Sequence, residues 1–112
     1  MARGASIGDK SAAVADDASA DIKPAAGKEW IVTAIGWSGA GTDTPAVNID
    51  RVDATSGVQM FDSKSAPQVN FNKSFVALPP GFQITNTDWL NVENVSGAAI
   101  DIWWTGVLVV DG

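Results

Sequence analysis

The last strand-like segment of the chain, residues 99–110, is apolar on both of its faces. Successive side chains of a β-strand point to opposite sides. One face therefore carries Ile100, Ile102, Trp104, Leu108 and Val110. The opposite face carries Trp103, Val107 and Val109. Because a chain of 112 residues has room for one modest core, we expect one face to enter that core and a partner chain to cover the other.

The composition argues against catalysis and against several kinds of partner. The chain has no cysteine, histidine or tyrosine, which removes thiolate chemistry and the commonest general acid and base. Neither a Ser-x-x-Lys nor a Gly-x-Ser-x-Gly motif is present. The net charge of −6 leaves no basic patch for nucleic acid, and no segment is long enough to span a bilayer. The aspartates match no calcium-loop spacing. We expect a protein that is not an enzyme and has no cofactor, metal, nucleic acid or membrane partner.

The first twenty residues differ from the rest of the chain. They consist mainly of Ala, Ser, Gly and Asp, with Ile7 and Val14 as isolated apolar residues. This composition predicts a flexible N-terminal arm over residues 1–20, before a domain over residues 21–112. Three states of the arm remain open: a disordered tail, a marginal helix, and a segment that orders only on a neighbouring subunit.

From residue 21 onward, short apolar runs alternate with turn residues. The pattern predicts about eight strands, among them residues 29–37, 46–53, 57–62, 74–78, 82–85, 89–93 and 99–110. The Pro79-Pro80-Gly81 sequence is expected to end a strand, because proline cannot donate to a ladder. The spacing favours an all-β antiparallel sandwich that is jelly-roll-like.

Four of the five tryptophans separate into core and surface candidates. Trp104 follows the core face of the last strand, and Trp37 is expected to share a face with Ile31 and Ile35. Trp89 and Trp103 are out of phase with their apolar neighbours, so we expect both to point outward. Large outward aromatic residues mark binding surfaces.

Two kinds of binding partner suit such a surface, namely another subunit and a carbohydrate. Val107 and Val109 extend the Trp103 face into an aliphatic surface, which favours an oligomer interface formed by Trp89, Trp103, Val107 and Val109. Carbohydrate is the alternative, because sugars stack on exposed aromatic rings and polar side chains such as Asn91 lie close in sequence.

Two segments carry a resemblance to a known group of proteins. They are residues 22–33, IKPAAGKEWIVT, and residues 81–97, GFQITNTDWLNVENVSG, followed by Gly106-Val107. The chain resembles small virion proteins of tailed bacteriophages, namely head decoration (cement) proteins and head-fibre modules, over about residues 22–110. These are β-sandwiches, typically trimers on a capsid, and no catalytic residues carry over.

The resemblance implies a structural protein that decorates and stabilises a phage capsid. Its expected partners are further copies of itself, as a trimer, and the major capsid protein, which the arm residues Ile7 and Val14 would contact. Its expected location is the capsid surface of the virion, after assembly in the host cytoplasm. A carbohydrate-binding module and a tail or baseplate accessory protein remain the alternatives.

Overall fold

The computed structural model describes residues 4–39, 45–53, 57–62 and 73–111. Within these residues the protein is all-β, and the expectation of an antiparallel sandwich is confirmed. The strands are β1 (Ser6–Val14), β2 (Ser19–Ile22), β3 (Lys28–Gly39), β4 (Val47–Asp53), β5 (Gly57–Asp62), β6 (Lys73–Ile84), β7 (Asp88–Asn94) and β8 (Ile100–Asp111). The described part of the chain contains no helix long and apolar enough to cross a membrane.

The eight strands form two four-stranded sheets that pack face to face. Sheet A has the order β1-β8-β3-β6, and sheet B has the order β2-β7-β4-β5. All pairings within both sheets are antiparallel. β3 and β8 are the two central strands of sheet A, so their inward side chains form one wall of the core. The buried apolar side chains that pack together include Ile22, Val32, Ile35, Trp37, Val47, Ile49, Ile84, Leu90, Val92, Ile100 and Ile102.

The inward face of β8 agrees with the sequence alternation. Ile100, Ile102 and Leu108 are buried, and the ring of Trp104 stacks on that of Trp30 with centroids 4.9 Å apart. Val110 departs from the expectation, since it is 40% exposed. A register shift between β3 and β8 near this end of the sheet breaks the alternation before Val110.

A bulge in β3 places Ile31 on the opposite face from Trp37, contrary to the expected alternation, whereas Trp37 lies in the core as expected. Register shifts against both neighbouring strands fall between Val32 and Ala34, so the inward face changes from even to odd residue numbers there. Trp37 and Ile35 are fully buried. Ile31 is only half-buried and lies on the opposite face from them, because one extra residue separates the two halves of the strand.

The Pro79-Pro80-Gly81 sequence does not end a strand, contrary to expectation. β6 continues from Lys73 to Ile84 through these residues, with a register shift against β3. β6 is the edge strand of sheet A, where a residue without an N–H group is tolerated.

The N-terminal residues pair with strands of both sheets. The sequence predicts a flexible arm over residues 1–20, of which residues 1–3 lie outside the described residues; in the structure β1 pairs with β8 and β2 pairs with β7. The backbone of β8 supplies hydrogen-bonding groups to a segment whose own composition could not form a core. Composition alone carries no information about this pairing.

Asn94 fixes the point where the chain passes from sheet B to sheet A. Its side chain is fully buried, and its amide nitrogen donates to the carbonyl oxygens of Val14, at 2.9 Å, and Ala98, at 2.7 Å. Its amide oxygen accepts from the backbone N–H of Ser96 at 3.0 Å. The Asp17 N–H also donates to the Asn94 backbone carbonyl at 2.9 Å. One side chain therefore joins the β1–β2 connection to the β7–β8 turn.

Candidate functional site

The strand register places four large apolar side chains on the side of sheet A that faces away from the core. Trp103 of β8, Gly36 of β3 and Phe75 of β6 lie opposite one another across the sheet, and Val107 lies opposite Ile31. We call the surface formed by Ile31, Phe75, Trp103 and Val107 the outer face of sheet A.

Trp103 lies directly over Gly36. A Cβ atom added to Gly36 would come within 2.1 Å of two carbons of the Trp103 ring, so no other residue fits at this position without moving the indole. Because Gly36 has no side chain, the ring rests against the backbone of β3. Trp103 is half-buried as a result, and it faces outward, as its phase in the sequence predicts.

Phe75 is the most exposed large apolar side chain among the described residues. It is 69% exposed and lies opposite Gly36 on the side away from Trp103. Its environment could not be recognised from the sequence, because the run Ser74-Phe75-Val76-Ala77-Leu78 does not show which side of the strand meets the core. The pairing with β3 decides it.

Ile31 and Val107 extend the apolar surface toward the other end of sheet A. The Cγ2 atom of Ile31 occupies the space that a side chain at Gly81 would need, since a Cβ atom added to Gly81 would lie 2.2 Å from it. Gly81 also has a φ of +115°, a conformation that other residues rarely adopt. Both constraints favour glycine at position 81, which leaves free the space that Ile31 fills beside Val107.

Polar groups lie at the border of the outer face of sheet A. The Lys10 ammonium is 3.5 Å from the Asp101 carboxylate, which also accepts a hydrogen bond of 2.9 Å from the Ala13 backbone N–H. The pKa of Asp101 is held below its ordinary value, first by this Ala13 hydrogen bond and also by the charge of Lys10, against an opposing effect of burial. An apolar centre with a polar border is the usual anatomy of a protein interface.

Trp89 belongs to a different surface. It lies on β7 in sheet B, and the ammonium group of Lys23 is 4.0 Å from its ring centroid. One side of the indole is therefore already occupied by a cation from the same chain. The structure brings Trp103 and Val107 together and places Trp89 in the other sheet.

The other residues selected from the sequence are half-buried as well. Val109 has no register partner on β3, since Leu108 pairs with Trp30 and Val110 with Glu29, and it is half-buried. In β1, Ile7 is half-buried and Val14 packs against the core.

The described residues hold no group of three or more acidic side chains arranged to bind a metal ion. No protein-family model matches the chain, and no curated protein matches it. The outer face of sheet A is therefore the feature from which a function can be argued.

Proposed function

We propose that this protein is a virion structural protein that self-associates through the outer face of sheet A and decorates and stabilises a phage capsid. The observation that carries the proposal is the outer face itself, with Trp103 seated on Gly36 and Phe75 69% exposed beside it. Contiguous apolar surface of this kind marks an interaction site on a small soluble domain. The sequence resemblance to phage decoration proteins supplies the biological setting.

We also propose that the sandwich is a jelly roll. The strand orders β1-β8-β3-β6 and β2-β7-β4-β5 support this assignment, since a jelly roll has eight strands arranged as two Greek keys in two sheets. Jelly rolls are frequent in viral capsid and lectin domains. The topology and the resemblance therefore point in the same direction.

A second copy of this chain is the occupant that suits the outer face of sheet A. Four strands about 4.8 Å apart and about eight residues long cover a projected area of about 500 Å². This face and an equal area of a neighbouring copy together reach about 1,000 Å², the size at which a specific interface becomes stable. The closed trimer that the resemblance implies is the assembly we propose, with the major capsid protein as the further partner.

Light scattering of a matched pair of variants tests the self-association. Phe75→Ser removes the most exposed aromatic residue of the outer face of sheet A, whereas Val58→Ser removes a comparably exposed residue, 55% exposed, on β5 of sheet B. We expect the native protein and Val58→Ser to have the mass of an oligomer and Phe75→Ser to have the mass of a monomer. A monomeric native protein, or equal masses for both variants, would contradict the proposed interface.

Co-sedimentation with phage capsids tests the decoration role separately. The native protein is expected to sediment with capsids that lack their decoration protein and to raise the temperature at which those capsids break open. An oligomer that leaves capsids unbound would refute decoration while leaving the interface standing.

Saccharide binding is the second candidate function, and the Trp103–Phe75 pair favours it. Two aromatic side chains on one face of a sheet, beside hydroxyl groups such as those of Thr33 and Thr105, which are 3.4 Å apart, form a surface on which a sugar ring can stack. A glycan array probed with the native protein and with Phe75→Ser distinguishes this function, because loss of specific glycan binding in the variant would support it.

A further inference from the structure

β1 is held to the rest of the molecule mainly by its backbone. Seven of its nine residues are exposed, and the other two, Ile7 and Val14, are partly buried. Its ladder with β8 continues to the Gly4 N–H, which donates to the Leu108 carbonyl at 2.7 Å. The partner of β1 is therefore a set of backbone groups on β8, and an identical β8 in another copy offers the same set.

The end of β1 and the connection after it contain two residues at which the chain could hinge. Ala13 has a φ of 53° and Asp17 a φ of 64°, left-handed conformations that are unfavourable for residues other than glycine. The register between β1 and β8 shifts between Ser11 and Val14. Beyond that shift, the Asn94 side chain holds the Val14 carbonyl at 2.9 Å. A movement of β1 would therefore begin near Ala13 and leave the sandwich intact.

β1 is long enough to reach the β8 strand of a neighbouring copy. The nine residues 4–12 span about 30 Å when extended, whereas two sheets packed face to face lie about 10 Å apart. β8 also carries Trp103 and Val107, two residues of the outer face of sheet A. Copies that associate through this face bring their β8 strands within range of each other's β1.

We propose that β1 exchanges between copies of the protein, so that residues 4–12 of one chain pair with β8 of its neighbour in the register seen here. This inference depends on the self-association proposed above. Exchange recovers the ladder hydrogen bonds of residues 4–12 and the Lys10–Asp101 ion pair. Exchange of an identical element is a low-cost route to a stable oligomer.

The Lys10–Asp101 ion pair allows the exchange of β1 to be tested in the native protein, with no amino-acid substitution. Its N···O distance of 3.5 Å is short enough for a carbodiimide to join the two side chains directly. Unlabelled chains and chains labelled with heavy nitrogen are mixed, unfolded and refolded together, treated with carbodiimide, and digested for mass spectrometry. With exchange, about half of the Lys10–Asp101 cross-links are expected to join one light and one heavy peptide, because donor and acceptor chains combine at random.

The outcomes separate the exchange from the proposed interface. Cross-links between peptides of the same isotope only, in a protein whose mass is that of an oligomer, would overturn the exchange and leave self-association standing. A monomeric mass would overturn both. The Lys10→Arg variant is the matched control, since arginine keeps the charge but is not joined by carbodiimide; it must abolish the assigned cross-link.

Discussion

Replacing Asn94 with alanine is the most direct test of how this fold is held together. The buried amide makes three hydrogen bonds to the backbone, donating to the Val14 and Ala98 carbonyls and accepting from the Ser96 N–H. Alanine fills none of these roles, so each of the three backbone groups loses the hydrogen bond that it makes with Asn94. Because the side chain is fully buried, water cannot replace it without opening the structure.

The expected loss of stability follows from these contacts. At about 1 kcal/mol for each hydrogen bond, Asn94→Ala should lower the free energy of unfolding by about 3 kcal/mol. A domain of 112 residues has an unfolding entropy of about 0.24 kcal/mol/K at its midpoint, so Tm should fall by about 13 °C. The loss is a large part of the total, since a domain of this size is stable by about 6–17 kcal/mol.

Asn91→Ala provides a matched control on the same strand. The Asn91 amide donates to Ser19 Oγ at 3.0 Å and to Asp21 Oδ1 at 2.8 Å, but these groups are exposed and water can replace the amide. We expect a change within about 0.5 kcal/mol, or about 2 °C. Differential scanning calorimetry at one protein concentration measures both variants. If Asn94→Ala lowered Tm no more than Asn91→Ala does, the role assigned to Asn94 would be refuted.

Two further predictions concern sheet A and its border. Gly36→Ala should displace the Trp103 ring, because two of its carbons would lie 2.1 Å from the new Cβ, and should lower the free energy of unfolding by about 1–3 kcal/mol. Gly57→Ala is the control, and it should leave the free energy of unfolding unchanged, since its new Cβ meets nothing closer than 3.8 Å. Urea unfolding compares the two, and equal midpoints would contradict the packing described. The pKa of Asp101 is lowered in the folded state, chiefly by the Ala13 N–H, so its stabilising effect should be complete above about pH 4 and lost as the pH falls through that lowered pKa. The protection factor of the Ala13 amide, which is corrected for the intrinsic pH dependence of hydrogen exchange, should fall over this range in the native protein. An unchanged protection factor down to the acid limit of folding would contradict the prediction.

The alternation of apolar residues predicted several features of the molecule correctly. It indicated an all-β sandwich, the inward face of β8 with Ile100, Ile102 and Leu108 buried, and the outward direction of Trp103. These features depend on residues close in sequence, because a strand alternates its side chains whatever it pairs with.

The composition of the outer face of sheet A could be predicted only in part. Trp103 and Val107 were identified from their phase in β8, but Phe75 was not, and Trp89 was assigned to the same interface although it lies in sheet B. Ile31 joins this face because the bulge between Val32 and Ala34 reverses the alternation of β3. Such a bulge leaves no mark in a run of apolar residues.

The amino-acid sequence by itself determined the all-β class, the apolar side chains on both faces of β8 and the lack of histidine and cysteine chemistry. Only the tertiary structure decided that β1 lies beside β8, that Trp103 rests on Gly36 and that Asn94 joins two connections far apart in the chain. The physical reason is that alternation is set by each strand's own backbone. Pairing and register depend on hydrogen bonds and packing between residues many positions apart, and those are fixed only when the sheets assemble.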